Sequence, residues 1–288
     1  MPNISKNKEE GLASMLSFKF LSSLEAQSQI LQKDDYLNSL DLYNLVNFHK
    51  VETKEQYLEI AKSSIEGFTF DERKKIEEAM LKIKLRWKEL NLPPLHVSFI
   101  KTNGLEMRSL AYTRGNCIYL NSGYFNFWCN LHGLLAHEIF HVLSRSNPSL
   151  KDDLYSFFGF YKVDEVKPYG TVLNPDAPVN NYAIKVYRGF TKSEVVPVIT
   201  FSRLYLKPIA FKVFDKKTKE TISVYKTTLP LQIGISTFYL AHPEEICADF
   251  FKLLFQKGWF YNPWKLLMFR RALKKSVLKL KNTSKANF

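Results

Sequence analysis

The stretch Leu134-Leu135-Ala136-His137-Glu138-Ile139-Phe140-His141-Val142-Leu143 joins an apolar run to two histidines four positions apart. On a helix of about 3.6 residues per turn, positions four apart lie one above the other on the same face. His137 and His141 can therefore offer two imidazole nitrogens to one metal ion, with Glu138 about 100° round the same side. The spacing predicts a helix over 126–145, backed by Leu131, Leu135, Ile139, Val142 and Leu143. Asn130, Gly133, His137, Glu138, His141, Ser144 and Arg145 fall on the other side, and Pro148 ends the helix. The plainer reading is an amphipathic helix whose histidines face solvent or are hydrogen-bonded. The polar stripe opposite a well-formed core face favours the metal reading. Zinc suits it best: it takes tetrahedral N/O/S ligation, and a catalytic zinc keeps one position for water.

Composition sets the frame. The chain has 288 residues, 45% hydrophobic and 24% charged, which suits a soluble globular protein of one large or two small domains. Its three cysteines, Cys117, Cys129 and Cys247, form neither a disulfide framework nor a C-x-x-C pair. That favours a reducing compartment. The start, MPNISKNKEEG, mixes acids with lysines, and no run of 18 apolar residues is present, so the expected location is cytoplasmic. The net charge of +13 is concentrated at the end. No Asp or Glu follows Asp249, while Arg270, Arg271, Lys274, Lys275, Lys279 and Lys281 all do.

Along the chain, residues 1–68 read as an N-terminal arm of polar helical segments. Leu37, Leu40, Leu42, Tyr43, Leu45 and Val46 are its candidates for burial. Its role is packing, or less directly a lid or inhibitory cover. Thr69-Phe70-Asp71-Glu72 has the capping-box form and opens a long helix that Pro93-Pro94 stop. Strands are expected at 95–102, 109–113 and 117–121, the last two about an Arg114-Gly115-Asn116 turn. The region 162–233 reads as β-rich, entered through the rigid loop Asn174-Pro175-Asp176-Ala177-Pro178. Helices follow at about 243–257 and 263–281. The expected class is α+β: a lobe of helix, short strands and the histidine helix, then a β-rich insertion and C-terminal helices, all within 69–288.

His242-Pro243-Glu244-Glu245-Ile246-Cys247-Ala248-Asp249 is the second informative stretch. Pro243 suits a first helical turn. Glu245 and Asp249 share a face, so Glu245 can bind metal while Asp249 orients an imidazole. The plainer reading makes Glu245 a capping residue and Asp249 a solvated acid. Among the neighbours, His242 precedes Pro243 and is biased to a cap conformation. Glu244 points about 100° from Glu245 and has Ala248 one turn on, so it is expected to matter little.

With His137, Glu138 and His141 on one helix and Glu245 and Asp249 on a later one, the chain resembles the gluzincin group of zinc metallopeptidases. The resemblance also covers the order of elements from about 69 to 145. It implies a zincin-like lobe with zinc held by His137, His141 and Glu245. Glu138 would be the catalytic acid/base, and Asp249 would orient a ligand. The interval from His141 to Glu245 is longer than in many members, so the β-rich region must fold away between them. For the residue that supports the oxyanion, Tyr239 and His242 are candidates by proximity.

The implied activity is hydrolysis of a peptide bond in a peptide or protein substrate, with an extended substrate pairing near the 117–121 strand. Two other readings stand beside it. One is a zinc-bound scaffold without turnover. The other is binding through residues 264–281, where Trp264, Leu267, Phe269, Leu273, Val277 and Leu280 oppose basic residues. That face allows weak contact with an anionic membrane surface. No nucleic-acid fold signature accompanies it, so specific nucleic-acid binding is not expected. The ordinary account of 264–281 is a terminal helix that packs on the domain and turns its basic side to water.

Overall fold

The computed structural model describes residues 15–125, 130–201, 209–234, 237, 239–256 and 262–286. The class is α+β. The chain begins with β1 (Leu16–Phe20), α1 (Ser23–Ile30) and α2 (Asp35–Ser39). A short turn of helix at Leu42–Asn44 runs into a π-helical turn at Leu45–His49. α3 (Lys54–Ser63) and β2 (Ile65–Glu66) lead to α4 (Phe70–Glu89), β3 (Leu95–Thr102), β4 (Tyr112–Arg114) and β5 (Cys117–Asn121). The capping box forms as its pattern predicts: Thr69 Oγ1 accepts from the Glu72 N–H, and Glu72 accepts from the Thr69 N–H.

Strand β1 is the first departure from expectation, since residues 1–65 read as helical segments. Leu16, Phe18 and Phe20 alternate with Ser17 and Lys19, a period of two, and β1 pairs in parallel with β3. The first sheet runs β1-β3-β5-β4, with β2 also on β3; β3 and β5 are parallel, and β4 is an antiparallel edge. It follows that the 117–121 strand is interior. The strand at that end of the sheet is β4.

Both faces of this sheet are covered, so β3 and β5 are buried nearly throughout. Val97, Phe99, Ile118 and Leu120 face the helical core with Met80, Ile83, Trp87 and Ile139. Ile100, Cys117 and Tyr119 face a second cluster built by the N-terminal segment from Ile30, Tyr36, Leu40, Leu45, Phe48 and Tyr57. Of the arm residues expected to be buried, Leu37, Leu40 and Leu45 are, while Leu42 and Val46 are exposed.

α5 (Leu131–Ser146) follows, its first turn capped by Asn130, whose side chain accepts from the Gly133 N–H at 3.0 Å. The helix therefore begins at Leu131 and not at the expected 126, and residues 126–129 lie outside the described residues. α6 (Pro148–Phe157) begins at the proline that was expected to stop its predecessor. The second sheet, in the order β10-β9-β8-β7-β6, comprises β6 (Tyr161–Lys162), β7 (Tyr182–Arg188), β8 (Thr191–Phe201), β9 (Ile209–Asp215) and β10 (Thr221–Ser223). It is antiparallel throughout. α7 (Leu229–Ile233), α8 (Pro243–Phe255) and α9 (Pro263–Ala286) complete the chain. No helix among the described residues is long and apolar enough to cross a membrane.

α9 packs on α6 and α8 through Leu266, Phe269, Leu273 and Val277, all buried. Trp264, expected in this stripe, is exposed, because it sits in the first turn on the outer side; Leu266 takes its place. Lys279 and Ser276 reach Asp153 of α6 at 2.9 and 3.0 Å, while Arg271, Lys274 and Lys275 face solvent. The Phe269 ring stands 5.5–5.9 Å from those of Phe157, Phe158 and Phe250. Phe269→Ala should therefore destabilise the fold by about 3–5 kcal/mol. The expected result is a lower denaturant midpoint at unchanged slope. A loss below about 1 kcal/mol would show that α9 is not part of the core.

Candidate metal centre

Two helices build the site. α5 presents His137, Glu138, His141 and Ser144 on one side while Leu135, Ile139 and Leu143 enter the core. α8 presents Glu244, Glu245 and Asp249, with Ile246, Cys247, Phe250 and Phe251 buried. The Phe140 and Phe251 rings meet at 5.3 Å and set the two helices against each other. Pro243 fills the first turn of α8, and the His242 ring caps it, Nδ1 accepting from the Glu244 N–H at 3.1 Å. That cap role, with its ring against Tyr155 and Tyr182, keeps His242 out of the cluster.

The packing brings both imidazole Nε2 atoms to one carboxylate oxygen. His137 Nε2 is 3.1 Å from Glu245 Oε2, and His141 Nε2 is 3.8 Å from the same oxygen. The other nitrogens have separate partners. His137 Nδ1 donates to Asp249 Oδ1 at 3.1 Å, and His141 Nδ1 donates to Glu244 Oε1 at 2.9 Å. Each carboxylate is held in turn: Asp249 by the Thr237 hydroxyl, Glu244 by the hydroxyls of Ser144 and Tyr155, and Glu245 by Asn174 Nδ2 at 2.6 Å.

Glu244 is the correction here. Its direction does differ from that of Glu245, as helical geometry requires. The crossing of the helices, however, carries that direction onto His141 and not out to solvent. Nothing local in the sequence reveals this, because the partner lies on the other helix. Asn174, Asp176, Tyr155 and Thr237 were missed for the same reason.

Charge follows the geometry. Burial alone would strip the proton from His137, but the Asp249 and Glu245 hydrogen bonds and charges outweigh it and hold the ring protonated well above its usual range. His141, also opposed by burial, is raised to about 9 by Asp176, Glu245 and Glu244. Asp249 falls to about 2, since its bond to His137 overcomes burial, and Glu244 and Glu245 are lowered in the same way. Glu138 is pushed up to about 8 by burial and then by the charge of Asp176. Tyr239 lines the same cleft of about 510 Å³ as His137, Glu138 and Glu245. Burial and the neighbouring carboxylates keep its hydroxyl protonated.

The donor set fits a metal ion. Tetrahedral bonds of about 2.0–2.1 Å put ligand atoms roughly 3.3 Å apart, and the two contacts on Glu245 Oε2, 3.1 and 3.8 Å, bracket that spacing. His141 Nε2 and Glu138 Oε2 are buried with no hydrogen-bond partner in the protein. Among the described residues, His137, His141 and Glu245 form one of two groups of metal-ligating side chains whose ligand atoms lie within 4.8 Å of one another; Glu138, His141 and Asp176 form the other. No family profile, curated protein or solved structure matches the chain.

Two measurements test this geometry. Glu245→Ala should lose most zinc affinity, and Glu244→Ala and Asp249→Ala should each lose roughly 10–100-fold, the scale for partners that orient a ligand. Wild-type affinity in Glu244→Ala, by chelator competition, would show that the His141–Glu244 bond is without consequence.

The second measurement uses pH. His141 and Glu138 are raised from 6.5 and 4.5 to about 9 and about 8, so the metal-free folded chain binds more protons than the unfolded chain between those values. Its stability therefore falls as pH rises; the His141 contribution is whole below about 6.5 and lost through about 9. Zinc must displace the histidine protons, so its affinity rises over the same window. The Tm of chelator-treated protein should fall from pH 6.5 to 9 while the increment given by zinc grows. A flat metal-free Tm would show that these groups are not held protonated.

Proposed function

We propose that the chain is a zinc-dependent peptidase with a zincin-like catalytic lobe. The observation that carries this reading is the convergence of His137 Nε2, His141 Nε2 and Glu245 Oε2, with each histidine's second nitrogen on its own carboxylate. His137 Nε2 and His141 Nε2 both face Glu245 Oε2, so these three side chains would hold a divalent cation in exchange for the histidine protons. Neutral Nδ1–H groups then remain on Asp249 and Glu244, which fixes the tautomers and raises the basicity of the facing nitrogens. In this reading Asp249 orients His137, whose Nδ1 lies 3.1 Å from Asp249 Oδ1.

Zinc held by His137, His141 and Glu245 would supply Lewis acidity and lower the pKa of a water towards about 7. The remaining roles belong to side chains. Glu138 is buried beside the histidines with one oxygen unpartnered. Its raised pKa makes it a base that takes the water's proton and an acid that returns it to the leaving amine. Tyr239, kept protonated, has the chemistry to donate a hydrogen bond to the developing oxyanion from the wall of the same cleft. A peptide or protein substrate in extended form would add to the outer edge of β4, the strand packed beside α5.

Glu138→Gln keeps the size of the side chain and removes the base. Zinc content by elemental analysis should stay at about one per chain, and turnover of a peptide library should fall about 10²-fold or more. Unchanged turnover with zinc in place would remove Glu138 from the mechanism. Full turnover by the chelator-treated wild type would overturn the peptidase reading.

A further inference from the structure

The outer edge of β4, where an extended substrate would pair, is already occupied by the chain itself. In an antiparallel pair every second backbone N–H points away from the partner strand. Thr113 has such an N–H, and it donates to Asp176 Oδ1 at 2.6 Å; the Thr113 hydroxyl donates to the same oxygen at 2.7 Å. The Ala111 N–H, next along that edge, donates to the Tyr124 hydroxyl at 2.8 Å. The carboxylate of Asp176 also lies within 4.8 Å of ligand atoms of His141 and Glu138, a second cluster that shares His141 with the first. From the same turn, Asn174 Nδ2 donates to Glu245 Oε1 at 2.6 Å.

This loop is firmly built. Its own turn closes through the Asp176 N–H on Asn174 Oδ1 at 3.0 Å and the Ala177 N–H on the Asn174 carbonyl at 3.2 Å. Pro175 is buried beneath it. Arg145 of α5 donates to the Asp176 carbonyl at 3.3 Å. On its approach, the Val172 N–H bonds the Ile199 carbonyl of β8 at 2.8 Å. Buried Asn44 of the N-terminal segment accepts from the Leu173 N–H and donates to the Thr171 carbonyl, at 2.8 and 3.2 Å. The N-terminal segment and the second sheet thus both hold the loop in the cleft.

We propose that residues 174–178 are an internal occupant of the substrate cleft, with Asp176 seated on the β4 edge and near enough to His141 and Glu138 to reach the open position of a metal that His141 helps to hold. The inference rests on the metallopeptidase reading above. Its chemistry is simple. A carboxylate that reached the fourth position would complete a tetrahedral zinc site and leave no place for water. Capping the outward donors of β4 removes the main-chain bonds that hold an extended peptide. The chain in this conformation is latent, and it becomes active when the loop leaves the cleft.

The test replaces zinc with Co²⁺, whose visible absorption reports coordination, and titrates acetohydroxamate, a small ligand that needs an open metal position. A cleft open in about a tenth of molecules weakens apparent affinity about tenfold. Asp176→Ala should therefore bind acetohydroxamate at least about tenfold more tightly than wild type. Asp176→Asn keeps an acceptor for Thr113 but offers a poor metal ligand. It should move in the same direction, and it decides the matter if the alanine variant does not fold. Equal or weaker binding by the folded variants, with the Co²⁺ spectrum present, overturns the inference and leaves the metal site standing. No Co²⁺ spectrum in wild type overturns the metal site and the inference with it.

Discussion

Two imidazoles and three carboxylates meet between α5 and α8, and this arrangement constrains the rest of the molecule. Glu244 and Glu245 are 3% and 2% exposed, and His141 is 1% exposed. Charges at that depth are tolerated only when each is paired and hydrogen-bonded. The pairing is complete only at one register of the two helices: Asp249 beneath His137, Glu244 beneath His141, and Glu245 between the two facing nitrogens. A slip of one turn would leave a carboxylate alone in the core. The aromatic contacts around Phe140, Phe251 and Trp87 are therefore a means of holding a register as well as a source of buried area.

The same constraint gives the outlying parts their work. The first sheet supports α5 from one side, and its other face needs cover, which the N-terminal segment provides. That segment is tied to the cleft by Asn44, which grips the strand leading into the 174–178 loop. α9 closes the far side of α8. Its basic outer face then needs no ligand to explain it: the apolar side is satisfied by α6 and α8, and the lysines are solvated.

The site is also unusual in where its negative charge lies. Glu138, Glu245 and Asp176 surround two histidines, and Asp176 is itself raised, by burial first. An excess of buried carboxylate around imidazole is what a divalent cation relieves, and a proton relieves it only in part. This is why the metal-free chain is read as holding protons at positions a cation would take.

Much of the centre was legible from spacing. A separation of four residues on a helix puts His137 with His141, and Glu245 with Asp249, whatever the tertiary context, because helical periodicity is a local property of the backbone. The Thr69 capping box and Pro243 in the first turn of α8 are local in the same sense. Strand β1 was legible too, in the alternation of Leu16, Phe18 and Phe20, although the polar flanks favoured a helical reading. Tertiary structure alone decided which carboxylate serves which histidine, and that Asn174 and Asp176 enter the cleft from a loop that reads only as rigid. Those assignments depend on a helix crossing and on a sheet edge, and both are set by packing between segments far apart in the chain. The sequence of either segment, taken by itself, carries no record of the other.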